Sequence, residues 1–162
     1  PMLLGFVVAP LWPAYGEAIA RKDVTWARKT LFRSIRISLL ISVPATLALL
    51  IFGVQIIHLW VGNEITPSYL LLLGLGAWTL LSSIGGTWAM FLNGASVIRF
   101  QVICALLMCT TNIVLSIFLT RIIGISGVVF GSLISQILFV SLPSMIYIPK
   151  YLSKLDQSAR KI

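Results

Sequence analysis

Hydrophobic and polar positions divide this chain into long apolar runs and short polar breaks. Four runs, at 37–61, 69–93, 101–120 and 127–149, hold Leu, Ile, Val, Phe and Gly with few interruptions. Each reaches the roughly 20 residues that a helix needs to cross a bilayer. They are continuous rather than alternating, and about twice as long as a tilted barrel strand, so helices are expected. A fifth, shorter run opens the chain at 1–9, "PMLLGFVVA". It is expected to be the end of a truncated membrane helix reaching about residue 15.

The breaks are brief. "GNEITPS" at 62–68 has turn composition and no Lys or Arg. Arg99 lies in the next break, Arg121 in the one after it, and a polar tail fills 150–162. The long exception is 16–36, a basic link between the first partial run and the first full one. These elements make an all-α, polytopic transmembrane helix bundle.

Composition agrees with the pattern. The chain has 162 residues, 59% hydrophobic and 10% charged, with a mean hydropathy of +1.03. A soluble domain carries roughly 25% charged residues. The net charge of +8 does not point to nucleic acid. Such domains gather basic residues on one face of a soluble fold, whereas here apolar runs separate them.

The basic residues obey the positive-inside rule. Six fall at 15–36, one is Arg99 and four lie in the tail; Arg121 alone is left for the other side. Alternating spans require that same grouping. The basic link and the C-terminus are therefore expected to be cytoplasmic, in a multi-pass membrane protein.

Within the link, Asp23 is a suitable N-cap residue. On a helical wheel Lys29, Arg33 and Arg36 fall within about 60° of one another, with Val24, Ala27, Leu31 and Ile35 opposite. That is an amphipathic helix at the inner interface, its basic face turned to anionic lipid. Pro10 and Pro13 are expected to end the partial helix as it leaves the membrane.

The polar residues inside the spans are amides and hydroxyls. Asn93, Asn112 and Gln136, with Trp88, are the candidates for lining a substrate path. Hydrogen bonding between helices is the competing role for the amides, and core packing for Trp88. Ser82, Ser83 and Thr87 follow the second span inward. Gly127, Gly131 and Ser135 repeat at four-residue spacing, the pattern of close helix contact. Cys104 and Cys109 form no metal motif, and His58 has no evident partner. No metal ligand set, phosphate loop or catalytic triad is legible, so neither an enzyme nor a cofactor is expected.

The stretch "PLWPAYGEAIARKDVTWARKT" resembles the oligosaccharide flippases of the polysaccharide-export superfamily, which also holds the multidrug and toxin extrusion transporters. Pro10, Trp12, Pro13, Glu17, Ala18, Asp23, Trp26 and Arg28 carry the likeness. The resemblance implies most of the second, C-terminal lobe of a twelve-helix flippase, with the N-terminal lobe missing. It also implies translocation of lipid-linked oligosaccharide, of the polyprenyl pyrophosphate type, for O-antigen or other surface polysaccharide. An exporter of drugs or organic cations from the same superfamily, and a non-transporting membrane subunit, are the alternatives.

Overall fold

The computed structural model describes residues 10–62 and 67–159, and no strand occurs among them. Helix α1 spans Leu11–Ala20, α2 Val24–Val61, α3 Tyr69–Gly94 and α4 Ile98–Ile123. Helix α5 spans Ser126–Gln136 and passes through a π turn, Ile137–Ser141, into α6, Leu142–Ala159. Four helical stretches, namely α2, α3, α4 and the run from α5 to α6, are long and apolar enough to cross a membrane.

The caps follow local chemistry. The Asp23 carboxylate accepts from the Trp26 backbone N–H at 2.9 Å and starts α2. Ser68 does the same for Leu71 at 3.2 Å and starts α3. Two corners close in the same way: Asp23 N donates to Ala18 O at 2.8 Å, and Val97 N to Leu92 O at 2.9 Å. The residue before each donor, Lys22 or Ser96, takes the left-handed conformation, at φ 58° and 55°. This is the six-to-one closure that ends many helices, usually with glycine at the left-handed position.

Two features depart from the expected boundaries. The basic link from Val24 onward and the first full span form one unbroken helix, α2, while the start of the link lies in α1 and the corner at 21–23. No glycine, proline or cap interrupts the chain between Arg36 and Ile37, and a change from charged to apolar side chains alters the surroundings without breaking a backbone. The fourth span likewise runs on through Pro149 into most of the expected tail. Pro10 and Pro13 stand at the start of α1, where a missing N–H costs nothing because first-turn donors have no helical partner. The expected partial helix at 1–9, and Arg160 and Lys161 of the tail, lie outside the described residues.

Helix α3 is the centre. It packs against α1, α2, α4, α5 and the π turn. Helices α4 and α5 pack closely along Gly127 and Gly131. A Cβ on Gly127 would strike the Leu119–Thr120 backbone, and one on Gly131 would lie 2.9 Å from Ser116 N. At one end of the bundle the Ser68 and Ser126 hydroxyls bond at 3.2 Å. At the other, Tyr151 donates to Ala95 O at 3.4 Å.

That second end holds the apolar core. Tyr15, Ala27, Leu31, Phe91, Leu92, Ile148 and Leu152 are buried together, drawn from α1, α2, α3 and α6. Tyr15 meets Phe91 edge-on at 5.4 Å and Trp26 at 6.0 Å, and Phe100 stacks on Tyr147 at 4.3 Å. Aromatic pairs of this kind add about 0.5–1.5 kcal/mol each beyond area burial.

Two glycines separate close packing from helix propensity. Gly127→Ala must push α4 and α5 apart and is expected to destabilise by about 1–3 kcal/mol. Gly86 has nothing within 4 Å of a built Cβ, so Gly86→Ala is expected to stabilise by up to about 1 kcal/mol. Unfolding of both variants in mild detergent checks the pair.

Candidate functional site

The polar residues of the spans sort into three places. The first is the seam between α2 and α3. Ser34, Ser38, Ser42 and Thr46 repeat every four residues along α2 and are all buried. Positions four apart share a helix face, and small side chains there allow close backbone approach. Ser38 bonds Thr87 at 2.9 Å, Ser83 donates to Ser42 at 3.1 Å, and Thr46 donates to Gly76 O at 3.4 Å. Ser83 also reaches the carbonyl of Leu80, and Thr87 that of Ser83. The α3 half of this seam was visible in the sequence as Ser83 and Thr87. The α2 half was not read there, although its four-residue spacing is the signal that finds it.

The second place is the set of amides. Asn112 on α4 donates to the Ser132 hydroxyl on α5 at 3.1 Å and accepts from Ser116 at 2.7 Å. Asn93 near the end of α3 accepts from Gln101 of α4 at 2.9 Å, across the corner that joins them. Gln136 is buried at the end of α5 and accepts from Ser82 of α3 at 3.4 Å. Trp88 packs against the apolar core. Each of the three amides thus has a partner on a different helix, and each sits in a different helix contact.

Gln136 also borders the π turn. In a regular helix the ring of Pro143 would collide with the carbonyl four residues earlier. The widened turn just before Pro143 gives that carbonyl another geometry, and such turns are frequent at functional sites. The Ser141 hydroxyl inside the turn is buried and has no hydrogen-bond partner among the described residues. A lone buried hydroxyl in an apolar surround is costly to maintain. Proline after "QILFVSL" was the available sequence signal for this turn.

The third place is a groove of about 1120 Å³ between the first part of α2 and the last part of α6. Arg28, Lys29, Arg33 and Arg36 line it from α2, together with Leu31 and Phe32. Ile148, Pro149, Leu152 and Asp156 line it from α6. Lys29, Arg33 and Arg36 are exposed, while Ala27 and Leu31 behind them are buried. The apolar side of this segment packs on protein: Ala27 and Leu31 lie in the core around Tyr15 and Phe91, with Val24 and Ile35 against it. Sequence reasoning found the basic wall. It missed the α6 wall, because nothing local to 148–156 reports that the segment returns to α2.

The remaining residues of the stretch from Pro10 to Arg28 build the corner beside this groove. Glu17 pairs with Arg21 at 2.6 Å on the surface of α1. Asp23 caps α2, Trp26 meets Tyr15, and Ala18 is buried. Trp12 is 54% exposed, and the two prolines open α1. Gly94 fits under this corner: a Cβ there would lie 2.5 Å from that of Tyr15 and 2.8 Å from Trp12 O.

Among the described residues no group of three or more His, Cys, Asp and Glu side chains is placed to hold a metal ion. Comparison of the chain with protein-family models, with curated proteins and with solved structures finds no match.

Asn112→Ala removes the bonds to Ser116 and Ser132, but both hydroxyls keep the Val128 carbonyl within reach. The expected loss is about 0.6–1.7 kcal/mol, the range found for polar contacts between membrane helices. A double-mutant cycle with Ser132→Ala should recover most of it as coupling energy.

Proposed function

We propose that the chain forms part of a membrane transporter of the oligosaccharide-flippase type. It would move lipid-linked oligosaccharide units across a bacterial inner membrane for surface polysaccharide assembly. In this reading α2 to α6 supply most of one lobe, and a second lobe completes the path. The cytoplasmic face carries the basic corner and the C-terminus.

The observation that carries the reading is the interruption of the fourth span. A π turn, Ile137–Ser141, lies between Gln136 and Pro143, inside an apolar helix. Broken or irregular helices within the bilayer are where transporters place substrate sites and bending points. Gln136 and Ser141 bring polar groups to that turn, and an amide can both donate to and accept from sugar hydroxyls. The likeness of residues 10–28 to the oligosaccharide flippases supports the substrate class. The groove lined by Arg28 to Arg36 supports an encounter with negatively charged lipid at one face.

The test is complementation. The full-length protein, expressed in a strain that lacks its own flippase, is expected to restore lipid-linked polysaccharide at the cell surface. Gln136→Ala is expected to lower that output about tenfold at unchanged membrane abundance, as loss of one buried hydrogen bond to substrate would do. No restoration, combined with resistance to organic cations, would replace the sugar reading with drug export.

A further inference from the structure

We infer that the groove between α2 and α6 is a binding site for an anionic phospholipid, held by its phosphate headgroup. The inference does not depend on what the chain transports.

Four observations point to a lipid. The first is charge. Arg28, Lys29, Arg33 and Arg36 face the groove, against one acidic lining residue, Asp156. Arg28 and Arg36 are eight residues apart, a rise of roughly 12 Å. That ladder suits a headgroup bearing one or two phosphates. Guanidinium groups bind phosphate oxygens in pairs.

The second is height. Arg36 is the last Lys or Arg of α2, and the run from Ile37 to Val61 holds no Asp, Glu, Lys or Arg. On α6 the matching boundary is Pro149, followed by Lys150. The ladder therefore starts where hydrocarbon ends and climbs into the headgroup layer.

The third is the floor. Leu31, Phe32, Ile148 and Pro149 line the same groove, and Phe32 is 54% exposed. A soluble anion has no use for such a surface. A phospholipid does, because its acyl chains lie along apolar side chains while the phosphate meets the cations. Basic pockets between membrane helices on the cytoplasmic side bind anionic headgroups for this reason.

The fourth is the overhang. At 1.5 Å per residue α2 is roughly 57 Å long, against about 30 Å of hydrocarbon. Helix α3 ends at Gly94, close to Tyr15. The first turns of α2 are thus carried beyond the hydrocarbon with α6 beside them, and the core beneath holds both helices in place. The groove is built by the fold rather than opened by a loose tail.

The full chain, purified in mild detergent, is titrated with phosphatidylglycerol and with phosphatidylcholine of the same acyl composition, and bound lipid is read by native mass spectrometry. The expected result is preferential retention of phosphatidylglycerol. Retention should fall about tenfold in Arg33→Gln/Arg36→Gln, survive in Arg33→Lys/Arg36→Lys, and survive in Lys150→Gln/Lys154→Gln. The last pair removes the same charge from exposed residues outside the groove lining. Equal loss in both neutral pairs would reduce the effect to diffuse surface charge and overturn the site. So would equal binding of the two lipids. Displacement by excess inorganic phosphate would mean that the groove reads phosphate without lipid. Displacement by a polyprenyl pyrophosphate at lower concentration would assign the groove to a transported lipid instead.

Discussion

Hydrocarbon offers no hydrogen bonds, so a hydroxyl inside a membrane must find its partner within the protein. The seam between α2 and α3 answers that constraint, and the bundle is organised around it. Ser38 meets Thr87, Ser42 meets Ser83, and Thr46 reaches the carbonyl of Gly76. Each bond is worth only about 0.6 kcal/mol on average between membrane helices. Their collective effect is register: a shift of one residue would turn every hydroxyl of α2 off the α3 face. With α2 fixed to α3, the other helices take their places around α3.

The same register decides what happens beyond the apolar zone. Helix α2 outruns α3, and its early turns are held by α1 and α6 through Tyr15, Phe91 and Leu152. One face of those turns is consumed by that packing. The other keeps its cations and becomes the wall of the groove. A positive charge cluster that sequence reasoning assigns to topology thereby acquires a shape, with an apolar floor and a second wall.

Much of this was legible in the sequence, and the limits have physical causes. The second, third and fourth spans begin within three residues of the runs seen in hydropathy, because burial in lipid is written directly in side-chain polarity. Asp23 was legible as a cap for the same local reason. The unbroken α2 was not, because hydropathy marks where the solvent changes and not where a backbone ends. Ser34 to Thr46 escaped because they are small and lie among strong apolar residues, which dominate any average. The partners of Asn93, Asn112 and Gln136 on other helices lie 8, 20 and 54 positions away, and the α6 wall of the groove lies farther still from α2 along the chain; no local pattern encodes such contacts. The π turn needed Pro143 to be read against the helix before it.

In the proposed topology the corner at Ser96 and the corner at Ile125 lie on opposite sides of one membrane, with the basic side cytoplasmic. Both residues are exposed, and α4 joins them. Cysteine labelling tests this directly. In the full-length protein with Cys104 and Cys109 replaced by Ala, Ser96→Cys and Ile125→Cys are exposed to a membrane-impermeant thiol reagent. Ser96→Cys is predicted to react only in inside-out vesicles, and Ile125→Cys only in right-side-out ones. Labelling of both from the same side, or the reverse assignment, would contradict the topology on which the groove and its lipid rest.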